Sequence, residues 1–206
     1  MLESLNQNSL KKIIDNLIIL HNQKDFSEVI KKTKILIQKY PESEQLFSIM
    51  GITLLSLKEY GKALTYFKES IKINPKNSNS YFNIGLAYYN LMDLKKAIIY
   101  YRKSLKINDK HFDTLFNLAI TYKENKNNKQ AINYYQKALK INYDHVFVHF
   151  NLGNIYSEQL DFLPAIKHYK SAIRIDPNFP DTYYNLAATF ERIKDFSNSL
   201  KYYKLS

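Results

Sequence analysis

Apolar residues recur along this chain as pairs of helical stripes, and the pairs themselves return every 34 residues. In residues 78–111 the first stripe is Tyr81, Ile84, Tyr88 and Leu91, and the second is Leu94, Ala97, Ile98, Tyr101 and Leu105. Steps of three and four predict two amphipathic helices. Between them stands Asp93, whose carboxylate can accept the free N–H groups that open the second helix. That cap position returns as Asp25, Asn127, Asp161 and Asp195, with Glu59 as a weaker substitute. Pro41, Pro75 and Pro177 fall just past the second helix of their blocks, where a residue without an N–H cannot extend the ladder.

The period is sharpest at Gly51, Gly85 and Gly153, with Ala119 and Ala187 on the same lattice. It divides the chain into blocks 10–43, 44–77, 78–111, 112–145, 146–179 and an incomplete 180–206, expected to form a single array. A constant period of this length predicts a solenoid, in which each unit buries its apolar face on its neighbours and no central core is needed. The small residues Gly51, Gly85, Ala119, Gly153 and Ala187 on first helices are expected to face Ala63, Ala97, Ala131, Ala165 and Ser199 on second helices, letting each pair cross closely. Rings at Tyr88, Tyr122, Tyr156 and Phe190, and at Phe67, Tyr101, Tyr135, Tyr169 and Tyr203, are expected to fill the core beside the crossing.

Leu152, Gly153, Tyr156, Ala165, Tyr169, Ala172 and Pro177 stand at the offsets of the tetratricopeptide signature, and the chain resembles that family over nearly its whole length. Block 44–77 matches through Phe47, Met50, Gly51, Leu54, Ala63, Phe67 and Pro75. Block 10–43 is degenerate, with Leu17, Val29, Thr33 and Leu36 in place of the usual small and aromatic residues. The resemblance implies an all-α fold, a right-handed superhelical solenoid of antiparallel helix pairs whose first helices line a concave binding surface.

On that arrangement the residue two before each lattice position points inward, and it is Asn83, Asn117, Asn151 and Asn185. An amide both donates and accepts, so a row of them can pair with the main chain of an extended peptide while ignoring its side chains. The row is similar to the asparagine ladder in the tetratricopeptide arm of O-GlcNAc transferases. It stops toward the N-terminus, where Ile49 and Asp15 take the position. Before each asparagine lies an aromatic, Phe82, Phe116, Phe150 or Tyr184, giving the expected groove apolar walls beside a polar spine. Other inward positions vary, through Asn79, Asp113, Phe147 and Asp181 and through Asn90, Glu124, Glu158 and Arg192, and would set specificity. The expected partner is a protein or peptide in extended conformation. They do not reproduce the lysine and arginine clamp with which some relatives hold a C-terminal carboxylate.

The net charge of +11 changes this picture little, because 27 of the 30 basic residues are lysines in a chain also rich in asparagine, isoleucine and tyrosine. That balance is what an AT-rich coding sequence yields. The lysines concentrate on second helices, whose signature rings belong to the core, so a solvated face is expected rather than a nucleic-acid surface. The absence of cysteine excludes disulfides and thiolate metal sites. His145 and His149 stand four apart, but one falls in a turn and the other at a packing position, so no metal site is expected. No glycine-rich phosphate loop or serine, histidine and carboxylate set appears, so neither an enzyme nor a cofactor is expected. The run Ile13–Leu20 is interrupted by Asp15 and Asn16 and resembles neither a signal peptide nor a membrane span, so a cytoplasmic location is expected. Block 180–206 stops inside its second helix, which suggests a piece of a longer protein. The alternative function is therefore the substrate-recruiting arm of a larger transferase.

Overall fold

The computed structural model describes residues 2–206, with side chains from Ser9 onward. Among the described residues there are twelve α-helices and no strands: α1 (Leu2–Asn22), α2 (Phe26–Lys39), α3 (Glu44–Ser56), α4 (Tyr60–Ile73), α5 (Ser78–Asn90), α6 (Leu94–Ile107), α7 (Phe112–Glu124), α8 (Asn128–Ile141), α9 (Val146–Glu158), α10 (Phe162–Ile175), α11 (Pro180–Arg192) and α12 (Phe196–Tyr203). From α3 onward the first helices start 34 residues apart, and the second helices keep the same interval from α2. The chain divides into two compact units, one ending at Thr114 and the other running from Leu115 to Ser206. In the first, α3 packs on α4, α4 on α5 and α5 on α6; in the second, α9 packs on α10, α10 on α11 and α11 on α12.

One residue between the paired helices does two jobs. At the end of α5 the Asp93 N–H bonds to the Tyr88 carbonyl (2.9 Å) and the Met92 N–H to that of Tyr89 (2.9 Å), closing the first helix. The Asp93 carboxylate then accepts from the Lys96 N–H (3.0 Å) and opens α6. This closure requires a left-handed residue, and Lys24, Lys58, Met92, Lys126, Leu160 and Lys194 all hold φ between 59° and 63°. None is glycine, so every turn carries a cost of roughly 1 kcal/mol that the flanking helix pair offsets. Asp25, Asn127 and Asp195 also accept at the second helix's start, whereas Glu59 and Asp161 occupy the cap position without a side-chain hydrogen bond from the helix backbone. At those two turns the geometry comes from the left-handed closure alone.

The lattice glycines lie against rings of the partner helix. A Cβ on Gly51 would lie 2.6 Å from the Phe67 ring, on Gly85 2.6 Å from Tyr101, and on Gly153 2.6 Å from Tyr169. The ring therefore lies against the bare backbone of the partner helix. Ala63, Ala97 and Ala165 are fully buried but are not the nearest neighbours of these glycines. Phe67, Tyr101, Tyr135 and Tyr169 are the largest fully buried side chains, as core rings should be. The rings of the first helices pack elsewhere: Tyr88 stacks on Tyr100, Tyr122 on Tyr134, Tyr156 on His168 and Phe190 on Tyr202, all at 5.5–5.7 Å.

Successive repeats are also matched by hydroxyl pairs. Ser70 bonds to Ser80 (2.8 Å) and Ser104 to Thr114 (3.2 Å), each pair buried between a second helix and the next first helix. At the same two offsets farther on, Ala138 and Val148 are both apolar and buried. The next pair is mismatched: Ala172 offers no acceptor, and the Thr182 hydroxyl is buried without a partner. Thr182→Val, which copies Val148, is expected to stabilise the protein by about 1 kcal/mol by removing an unmade hydrogen bond at constant shape. Urea denaturation of the two proteins measures the difference.

Candidate functional site

The ladder asparagines lie on first helices, Asn83 on α5, Asn117 on α7, Asn151 on α9 and Asn185 on α11, and all four are half-buried. Asn151 donates to the Phe147 carbonyl of its own helix (2.8 Å). Asn185 donates across to the Asn154 side-chain oxygen on α9 (3.0 Å), and that oxygen also accepts from the Tyr169 hydroxyl (2.8 Å). An amide carries two N–H groups and two lone pairs, so Asn151 and Asn185 keep binding capacity beyond these single bonds. Ile49, the apolar equivalent, is buried, and Asp15 is exposed.

The aromatic neighbours are shared between core and surface. Phe82 packs on Tyr101 and His111, Phe116 on Tyr135 and His145, and Phe150 on Tyr169 and Phe179. Each is half-buried, wedged between its own second helix and the residue that leads into the next repeat. Tyr184 is different, 57% exposed with its ring against Tyr203. Phe147 is half-exposed and meets Phe179 edge to face, which adds an aromatic beside Asn151.

Two depressions mark this face in the second unit. One of about 370 Å³ is bordered by Ile120, Lys123, Glu124, Asn151 and Glu158. The other, about 690 Å³, is bordered by Asn154, Glu158, Tyr169, Tyr184, Asn185 and Arg192. Lys123 pairs with Glu158 at 3.5 Å. Asn154 extends the asparagine row in a way its period does not reveal, and Arg192 stands at the variable inward position named from the sequence. The signal for Asn154 is a polar residue where the other repeats carry Leu86, Ile120 and Ala188.

Charge is segregated between the two helix sets. The six second helices carry 19 of the 30 Lys and Arg residues but only 2 of the 19 Asp and Glu residues, leaving the first helices weakly acidic. Several of these lysines lie over rings, Lys103 on Tyr100 and Lys137 on Tyr134 among them, at 4.9 and 5.0 Å. Those rings are already stacked on partners and capped by lysine, so they are poor platforms for bases.

His149 is a packing residue, as its position implies, but it has a partner that the sequence hides. Its Nε2 lies 3.0 Å from the Tyr143 carbonyl and its Nδ1 3.0 Å from Nδ1 of His168. A carbonyl only accepts, so Nε2 of His149 carries the proton, its Nδ1 accepts, and His168 donates from Nδ1. Burial lowers both imidazoles, and His149 beside it helps bring His168 down to about 4. The neighbouring Lys167, Arg174 and His145 also oppose charging, while Asp144 favours it at His149. Since the unfolded chain takes up protons near pH 6.5 and the folded one does not, stability is full above that value and falls as pH drops toward 4. Thermal melts between pH 7 and 4.5 are expected to show this slope, reduced in His168→Tyr, which copies Tyr134. Among the described residues no three metal-ligating side chains converge.

These features define a helical-repeat protein whose first helices present a polar face flanked by rings. A tetratricopeptide repeat model matches residues 77–144 and 112–178, and a TPR repeat model matches 51–91 and 164–193. The chain belongs to the tetratricopeptide repeat family. Among solved structures it is similar to PilF of Pseudomonas aeruginosa (13% identity, 95% of this chain and 89% of that one, TM-score 0.84). It is also similar to YrrB, described as a TPR protein with an unusual peptide-binding site (18% identity, 84% and 89%, TM-score 0.74). A third is MamA, from residue 41 to its end, of Desulfovibrio magneticus RS-1 (19% identity, 78% and 91%, TM-score 0.73). At these identities the likeness is one of fold. No curated protein matches the chain by sequence. Among the described residues no helix is long and apolar enough to cross a membrane.

Proposed function

We propose that this protein is an interaction scaffold that takes an extended segment of another protein along its first-helix face. Tetratricopeptide repeat proteins act as protein-interaction scaffolds. The observation that carries the reading is the recurrence of Asn117, Asn151 and Asn185 on successive first helices, half-buried beside aromatic rings. Main-chain pairing through amides gives affinity with little regard to sequence, and the rings add apolar burial. YrrB, with its peptide-binding site, supports the same use here. Asn83 and Phe82 stand at the same offsets on a first helix of the first unit. The finer likeness, to the arm of O-GlcNAc transferases, rests on the same four asparagines. Replacing Asn117 and Asn151 together with alanine tests the reading: peptide affinity is expected to fall with the melting curve nearly unmoved, and unchanged affinity would refute it.

A further inference from the structure

Resting on the groove reading and narrowing it, we infer that the depression between α9 and α11 is a carboxylate pocket, which seats an Asp or Glu side chain of the bound segment against Arg192. Arg192 is exposed and makes one hydrogen bond, to the Ser157 main-chain carbonyl at 3.3 Å. Among the described residues no carboxylate lies within ion-pair distance of it. One neutral acceptor leaves four guanidinium N–H groups and the full charge.

The carboxylates nearby are engaged. Glu158, which itself borders the depression, pairs with Lys123 at 3.5 Å, and Glu191 accepts from the Tyr203 hydroxyl at 2.9 Å. Asn154 Oδ1 already takes hydrogen bonds from Tyr169 and Asn185, which commits that oxygen. The pocket thus offers a guanidinium with N–H groups to spare, beside a carboxylate that already has a lysine partner, which suits an incoming carboxylate. Tyr184, 57% exposed, supplies a flat wall for the methylenes of an acidic side chain, and Ala188 leaves room below it.

The position is also a register mark. Its equivalents in the preceding repeats are Asn90, Glu124 and Glu158, so the charge there reverses at α11. A segment with an acidic residue at this end alone would be held in one register.

Selection of a random dodecapeptide phage library on the purified protein tests this. Selected peptides are expected to share an Asp or Glu at one position. Their affinity should fall about tenfold or more on Arg192→Glu and recover when that acid is changed to lysine. Peptides that weaken on Asn117→Ala with Asn151→Ala but ignore Arg192→Glu would overturn the pocket and leave the groove standing. Peptides indifferent to both changes would overturn both. A melting curve checks the fold of Arg192→Glu, and Arg192→Gln replaces it if the charge reversal fails to fold.

Discussion

Replacing Tyr101 with alanine is expected to lower stability by about 3–5 kcal/mol, whereas replacing it with phenylalanine is expected to leave stability unchanged or raise it. The ring is fully buried and lies against Gly85, whose missing Cβ is the space the ring occupies. Truncation removes the burial and opens a cavity between two backbones. The helices cannot close over it, because α5 and α6 are fixed at one end by the Asp93 turn. The hydroxyl has no such role, being buried without a hydrogen-bond partner, and burial raises its pKa well above the usual phenol value. Urea denaturation of the two variants separates the contributions: loss in both would make the hydroxyl the important group, and loss in alanine alone assigns the ring.

The second large effect is on binding. Two ladder amides removed together, Asn117→Ala with Asn151→Ala, are expected to cost about 2–3 kcal/mol, or roughly 30- to 150-fold in affinity for selected extended peptides, if each makes one or two net hydrogen bonds to the peptide main chain. Stability should change little. Asn151 gives up only a bond to its own helix carbonyl, and alanine is the better helix former. The separation of binding from stability distinguishes these residues from the rings beside them. Phe116 and Phe150 pack on Tyr135 and Tyr169, so their removal would damage both properties at once.

Most of the fold was legible because its determinants are local and recur in register. A cap such as Asp93, a proline such as Pro75 and a stripe such as Ala97, Tyr101 and Leu105 act within one helix pair, so the 34-residue period exposes them. The left-handed turn was not visible, since lysine, methionine and leucine occupy a position that glycine usually marks. The contact of Gly85 with Tyr101 was also missed in detail, because spacing gives the helix face and not which side chain lies flat across it. Pairs that join two repeats were hidden for a related reason. Ser104 with Thr114 and His149 with His168 are meaningful only when two different offsets are compared, and neither residue type signals its partner. At the candidate site the asparagine row stood out by recurrence. Asn154, which occurs once in its position, did not, and Arg192 was legible only as one of several variable inward residues.

The most direct measurement maps a selected peptide onto the ¹⁵N-labelled protein by following side-chain amide and backbone resonances during titration. Shifts are expected at the side chains of Asn117, Asn151 and Asn185 and along α7, α9 and α11. Shifts confined to the lysine-bearing second helices α8 and α10, with the asparagine side chains unmoved, would contradict binding on the first-helix face.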